Sequence, residues 1–157
     1  MTAKSRKPFT ADISISKKNV FITSSCAQTR KLGAAFASLL KIGDIVFLNG
    51  DLGSGKTTFT QGAVKAFGNK GFARSSSFML VNEYNAFGGA KLFHIDLYRL
   101  EPSYIEDTGL EEYVDGKNIT LIEWPQRLKR CASIKTWDIN LQYLDEEKRK
   151  ITIEKSK

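Results

Sequence analysis

The stretch Ile45-Val46-Phe47-Leu48-Asn49, running directly into Gly50-Asp51-Leu52-Gly53-Ser54-Gly55-Lys56-Thr57, decides the fold. Its second part satisfies Gly-x-x-x-x-Gly-Lys-Thr in full, a coincidence expected in roughly 0.5% of chains this long. Gly50, Gly53 and Gly55 let backbone N–H groups converge on phosphate oxygens without obstruction by a Cβ. A helix beginning at Lys56 adds its positive N-terminal end. Lys56 reaches the β- and γ-phosphates as a point charge, and the Thr57 hydroxyl is a ligand for Mg²⁺. The flanks supply the context such a loop needs. Ile45 to Leu48 is apolar without alternation, the pattern of a central parallel strand covered on both faces. Lys56 to Phe67 carries Phe59, Ala63, Ala66 and Phe67 on one helical side, with Gly68 as C-cap. Strand, glycine loop and helix together predict a P-loop that binds ATP with Mg²⁺, its phosphates cradled from Asp51 and Leu52 through Gly53, Ser54 and Gly55.

Working outward, Val20 to Thr23 reads as a short strand. Ser24 or Ser25 caps a helix over Ala27 to Lys41, where Leu32, Ala35, Phe36, Leu39 and Leu40 recur at helical spacing and Gly43 marks the stop. Phe78 to Tyr84 and Lys91 to Tyr98 read as a hairpin across Asn85-Ala86-Phe87-Gly88-Gly89-Ala90. Pro102 to Gly116 mixes acids with Tyr104, Ile105, Leu110, Tyr113 and Val114 and predicts short helices. Ile119 to Trp124 is a buried strand ended by Pro125, followed by one helical turn over Gln126 to Arg130. Trp137, Ile139, Leu141 and Tyr143 alternate within Thr136 to Leu144; Asp145-Glu146-Glu147 turns the chain, and Lys150 to Glu154 returns as a second hairpin. The expected fold is a single α/β domain over 1–157: a P-loop NTPase-like three-layer sandwich, with a mostly parallel central sheet and antiparallel hairpin additions. Residues 1–18 are its basic N-terminal segment, expected to be flexible.

At 157 residues, 41% hydrophobic and 26% charged, the chain is long enough to bury a continuous core without metals or disulfides. Cys26 and Cys131 lack CxxC spacing and any neighbouring His or Cys cluster, so they read as reduced, inert thiols. No apolar run approaches the ~18–20 residues of a membrane span, and the basic opening MTAKSRKPFT lacks the apolar stretch of a secretory signal. These features predict a soluble, cytoplasmic protein with no membrane partner, leaving an organellar address open. The formal net charge of +7 would suit nucleic acid if it were clustered. It is dispersed, densest over residues 1–18 and from Arg127 to Arg130. Solvated ends and a helix face account for most of it, with a surface for RNA or an acidic partner as the alternative.

A P-loop enzyme also needs an acid at the end of a buried strand to hold Mg²⁺, and two strands offer one: Leu92-Phe93-His94-Ile95-Asp96 and Thr120-Leu121-Ile122-Glu123. Asp is the usual partner of magnesium-bound water, whereas the longer Glu can position or deprotonate the attacking water. Asp96 is accordingly assigned to the metal and Glu123 to the water. Both join Lys56 in the catalytic set, and both stand with Thr57 as candidate metal residues; pattern alone leaves the two roles exchangeable. His94 reads as a packed or edge histidine.

The P-loop with Thr58-Phe59, together with Leu80-Val81-Asn82-Glu83-Tyr84, Asp96-Leu97-Tyr98-Arg99-Leu100, Gly109-Leu110-Glu111-Glu112-Tyr113 and Ile122-Glu123-Trp124-Pro125, resembles the bacterial TsaE family, also called YjeE. The resemblance spans roughly Gly43 to Arg127, five motifs in order. It implies an ATPase that supports the TsaB and TsaD proteins in threonylcarbamoyl modification of adenosine 37 in tRNAs reading codons that begin with A. The chain would meet tRNA indirectly, through that complex, and would not itself transfer the carbamoyl group. The resemblance further implies Thr58 near the phosphates, Asp96 and Glu123 at the magnesium and hydrolysis site, and Trp124 beside the nucleotide; from its position before a proline alone, Trp124 would equally be core. One motif departs: the family's Ser-Pro-Thr-Phe element reads Ser75-Ser76-Ser77-Phe78, which keeps a hydroxyl but loses the rigid Pro and predicts a more mobile loop.

Two rival readings lack support, and a third stays open. A small-molecule kinase needs an arginine-bearing lid, and none is evident. A GTPase needs an Asn-Lys-x-Asp reader, and Asn69-Lys70-Gly71-Phe72 lacks the Asp. A nucleotide-gated interaction module with little hydrolysis is compatible with every motif. For a docking surface, the acidic, aromatic-rich run Glu101 to Tyr113 offers Tyr104, Leu110 and Tyr113 as anchors.

Overall fold

The computed structural model describes residues 18–71, 81–101, 109–128 and 134–156. Lys18–Thr23 forms β1. Ser25 then caps α1 (Cys26–Ala37): its Oγ accepts the Gln28 N–H, while Gln28 Oε1 accepts the Ser24 N–H at 2.8 Å. Ser25→Ala is expected to cost about 1 kcal/mol in a denaturant titration. The helix ends at Ala37, short of the expected Lys41, because the Asp44 carboxylate accepts the Lys41 N–H and turns the chain toward Gly43, which sits at φ +94°.

β2 (Ile45–Asn49) and α2 (Lys56–Ala66) flank the glycine loop as expected. β3 (Val81–Asn85) and β4 (Lys91–Asp96) form the first hairpin; Phe78 to Leu80 of the expected strand lie outside the described residues. β5 (Ile119–Glu123) is followed by a single 3₁₀ turn at Pro125–Arg127, then β6 (Trp137–Tyr143) and β7 (Arg149–Lys155). The described strands make one seven-stranded sheet in the order β1-β7-β6-β2-β5-β4-β3. β6, β2, β5 and β4 run parallel at its centre; β7 and β3 flank them antiparallel, and β1 pairs antiparallel with β7 at the edge. The second hairpin is thus more than an addition, since β6 pairs directly with the P-loop strand.

β2 is uniformly apolar because it feeds two cores. Val46 and Leu48 pack under the helices with Leu32 and Phe36 of α1 and Phe59, Ala63 and Val64 of α2. Phe36 meets Phe59 at 5.6 Å and Trp137 edge-on at 5.2 Å. Ile45 and Phe47 face the other way, onto Ile95, Ile122 and Leu110. Ala66, expected on the buried side of α2, is exposed, and Val64 and Gly62 are buried instead. The helices approach closely at two glycines. A Cβ on Gly33 would lie 2.0 Å from the Phe59 carbonyl oxygen, and one on Gly62 2.0 Å from that of Arg30.

The second core corrects the expected docking anchors. Leu110 is 8% exposed, and Tyr113 packs edge-on against Phe93 at 4.9 Å, so both hold the 3₁₀ turn Leu110–Tyr113 to the sheet. Tyr104, Ile105 and the switch-like Ser75-Ser76-Ser77-Phe78 lie outside the described residues, as do Cys131 and residues 1–17. Cys26 is an exposed free thiol. Among the described residues no helix is long and apolar enough to cross a membrane.

Candidate functional site

Register brings the ends of β2, β5 and β4 level: Leu48 stands opposite Glu123, and Glu123 opposite Asp96. From β2 the chain departs toward β3 and β4; from β5 it departs the other way, toward β6. The crevice lies at the carboxyl ends of these parallel strands, the end at which open α/β sheets bind ligands. The glycine loop folds over it. Gly50 sits at φ +147°, where a Cβ would fall 2.4 Å from the Leu141 carbonyl oxygen and 2.5 Å from Ser54 Oγ, so no side chain fits. Gly55 is the N-cap of α2 at φ +102° and offers no side-chain cap. The amides of Lys56, Thr57 and Thr58 therefore open the helix without intrahelical acceptors.

Lys56 folds back into its own loop. Its Nζ donates to the carbonyl oxygens of Gly50 at 2.7 Å and Asp51 at 2.9 Å, and lies 4.2 Å from the Trp124 ring centre. The residue is 4% exposed. Burial holds its pKa below the ordinary lysine value, against the opposing pull of the Glu123, Asp96 and Asp51 carboxylates. A desolvated ammonium has lost water contacts that an anion can replace, which suits it to phosphate.

Glu123, 2% exposed, is the strand-end acid that contacts the start of α2. The Thr57 hydroxyl lies 3.1 and 3.2 Å from its two oxygens, and its Oε1 is also 2.9 Å from His94 Nε2. Asp96 stands one strand further out, half-buried, with Oδ1 accepting the Tyr98 N–H at 2.9 Å. Trp124 is partly buried against the second core, and its ring lies beneath Lys56 Nζ and 5.0 Å from that of Tyr98. It is also the one non-glycine residue at positive φ among those described, at +60°. Such a conformation costs on the order of 1–3 kcal/mol and persists where surroundings enforce it, often at functional sites.

These groups share one cavity of about 220 Å³, with Thr58, Asp96 and Trp124 among its walls together with Cys26, Thr29 and Arg149. Leu52, Gly53, Gly55, Lys56, Thr57 and Glu123 line it too. Ser54 is buried beneath the loop, its N–H donated to the Asp51 carbonyl at 3.1 Å, and Asp51 is exposed; neither is brought to the cavity lining. The lining from Cys26, Thr29 and Arg149 was not legible, because α1 and β7 carry no motif that points to this crevice. The bond from His94 to Glu123 was also missed; its only trace was a polar residue inside an otherwise apolar strand.

A family model described as "Threonylcarbamoyl adenosine biosynthesis protein TsaE" matches residues 23–151. The chain belongs to the TsaE family. Curated TsaE proteins are similar over most of their length. That of Aquifex aeolicus is 41% identical over 134 residues, covering 84% of this chain and 92% of its own. That of Rickettsia bellii is 41% identical over 130 residues, 82% and 89%. That of Bacillus subtilis is 39% identical over 122 residues, 78% and 74%. Among solved structures, Bacillus subtilis YdiB superposes with a TM-score of 0.71 at 31% identity, over 88% of this chain and 86% of that one. TsaE membership places this α/β chain in the biosynthesis of tRNA threonylcarbamoyladenosine and agrees with the resemblance carried by its motifs.

Proposed function

We propose that this chain binds ATP with Mg²⁺ in the crevice and hydrolyses it in support of a TsaB–TsaD complex that modifies tRNA adenosine 37. The observation that carries the reading is the contact of Thr57 with Glu123 beneath a glycine cradle that already holds a desolvated lysine. The donor set fits the ligand. The cavity pairs cationic Lys56 and Arg149 and three helix-opening amides with the carboxylates of Asp96 and Glu123. A phosphate chain drawn to the cations then stands against acids, and a hard divalent cation between them resolves the repulsion. Among the described residues no three His, Cys, Asp or Glu side chains gather to hold a metal unaided. Mg²⁺ held through one or two protein oxygens plus phosphate and water is the form this arrangement suits.

The loop amides and Lys56 would bind the phosphates, Trp124 and Tyr98 would screen them from water, and Thr57 with Glu123 would hold the metal. Bound Mg²⁺ would neutralise charge that builds up on the phosphates as the terminal bond breaks. Asp96, with one carboxylate oxygen engaged by the Tyr98 N–H, orients the water and draws its proton. This exchanges the roles assigned from sequence, because Thr57 contacts Glu123 whereas Asp96 stands apart from it.

Asp96→Asn keeps the Oδ1 that accepts the Tyr98 N–H; it should leave ATP binding within about threefold and slow hydrolysis at least ~100-fold. Glu123→Gln should raise the Mg²⁺ needed for half-maximal ATP binding by about tenfold or more. Calorimetric ATP titration across Mg²⁺ concentrations, paired with phosphate release, separates the two variants. Phenotypes in the opposite order would restore the first assignment, and two fully active variants would end the catalytic reading of both acids.

A further inference from the structure

We infer that His94 is the positioning residue that fixes the Glu123 carboxylate for the metal pole of this crevice, an inference that rests on the proposed Mg²⁺–ATP site. His94 is the chain's single histidine and is 3% exposed, on β4 beside β5. Its Nε2 lies 2.9 Å from Glu123 Oε1. A carboxylate can only accept, so the pair requires the proton on Nε2. A carboxylate as deeply buried as Glu123 needs donors to offset its lost hydration.

Among the side chains described, two supply donors to it, and they differ in kind. Thr57 belongs to the first turn of α2 and travels with the P-loop; His94 is anchored in the sheet between Phe93 and Ile95, both buried. With the imidazole in place, one oxygen of Glu123 is pinned to the sheet and the carboxylate plane is set, leaving Oε2 and the Thr57 hydroxyl side by side at the cavity. Without it, the sole remaining donor among the described side chains is the very hydroxyl expected to face the cation. Partners of this kind, one contact removed from a metal, typically change metal affinity by about 10–100-fold when removed.

Two measurements test the pair. Because there is one histidine, ¹⁵N NMR of the imidazole reports it without assignment. Nε2 should be protonated, with its shift moved by Glu123→Gln; an unprotonated Nε2 would overturn the inference. Calorimetric ATP titrations are then run at a series of Mg²⁺ concentrations and without Mg²⁺. His94→Leu should raise the half-maximal Mg²⁺ about tenfold while ATP affinity without Mg²⁺ stays within about twofold, and His94→Gln, which restores an N–H donor near the Nε2 position, should recover most of the loss. Should His94→Leu not fold, His94→Asn, too short to reach Glu123, takes its place. Equal Mg²⁺ dependence in wild type and His94→Leu, or a Gln variant no better than Leu, would overturn the positioning role alone. A wild-type chain whose ATP binding ignores Mg²⁺ would overturn the site reading and this inference with it.

Discussion

Lys56→Ala is expected to lose ATP affinity by about a hundredfold or more. The ammonium supplies two or three charge-assisted hydrogen bonds to phosphate, each worth about 1.5–3 kcal/mol. Their sum would imply a loss of roughly 10²–10⁶-fold at 1.4 kcal/mol per decade. The lower end applies, because Lys56 already donates to the Gly50 and Asp51 carbonyls and exchanges those bonds when phosphate enters. Part of the charge effect is also returned: removing the ammonium removes the desolvation that depresses its pKa. For the same reason the fold should change by no more than about 1 kcal/mol, two hydrogen bonds lost against one buried charge relieved. Lys56→Met keeps an aliphatic stem against Trp124 and should lose as much affinity as the alanine variant. Calorimetry giving either variant wild-type affinity would contradict the P-loop as the phosphate site.

Gly62→Ala should cost the fold about 3 kcal/mol or more, the larger end of the overpacking range. In a free helix the same change would stabilise by about 1 kcal/mol, so the sign is set by the packing. The new Cβ would lie 2.0 Å from the Arg30 carbonyl oxygen, and backbone cannot step aside as a flexible side chain does. Gly33→Ala meets the Phe59 carbonyl at the same distance and should behave alike. Relief requires α1 and α2 to move apart, opening the Phe36 and Phe59 contact. Since α2 begins at Lys56, that movement reaches the phosphate loop, and ATP affinity should fall with stability. Thermal unfolding should show a midpoint lowered by about 6–12 °C. A midpoint at or above wild type would contradict the helix packing described.

Those glycines show where sequence reasoning runs out. Gly50 and Gly55 were legible because their spacing to Lys56 repeats a pattern with a known physical cause. Gly33 and Gly62 lie in helical stretches where a glycine signals only a weaker helix, and their partners are backbone atoms of another segment. The strand ending in Glu123 and the strand ending in Asp96 were both readable from apolar runs closed by an acid. Which acid meets Thr57 was not, because it depends on β5 lying between β2 and β4, a matter of strand order. Leu110 and Tyr113 looked like exposed anchors in a run rich in acids, yet the second face of the sheet needs cover and draws them inward. Trp124 was ambiguous from its neighbours; the structure packs it against the second core with its ring under the Lys56 ammonium.

The measurement that tests the account most directly is phosphate release from ATP by the wild-type chain alone, with its cognate TsaB–TsaD complex, and with that complex but without Mg²⁺. The account predicts slow release alone, release at least about tenfold faster with the complex, and loss of that release on omitting Mg²⁺ or on Asp96→Asn. Release indistinguishable from background in every condition, or an undiminished rate in Asp96→Asn, would contradict it.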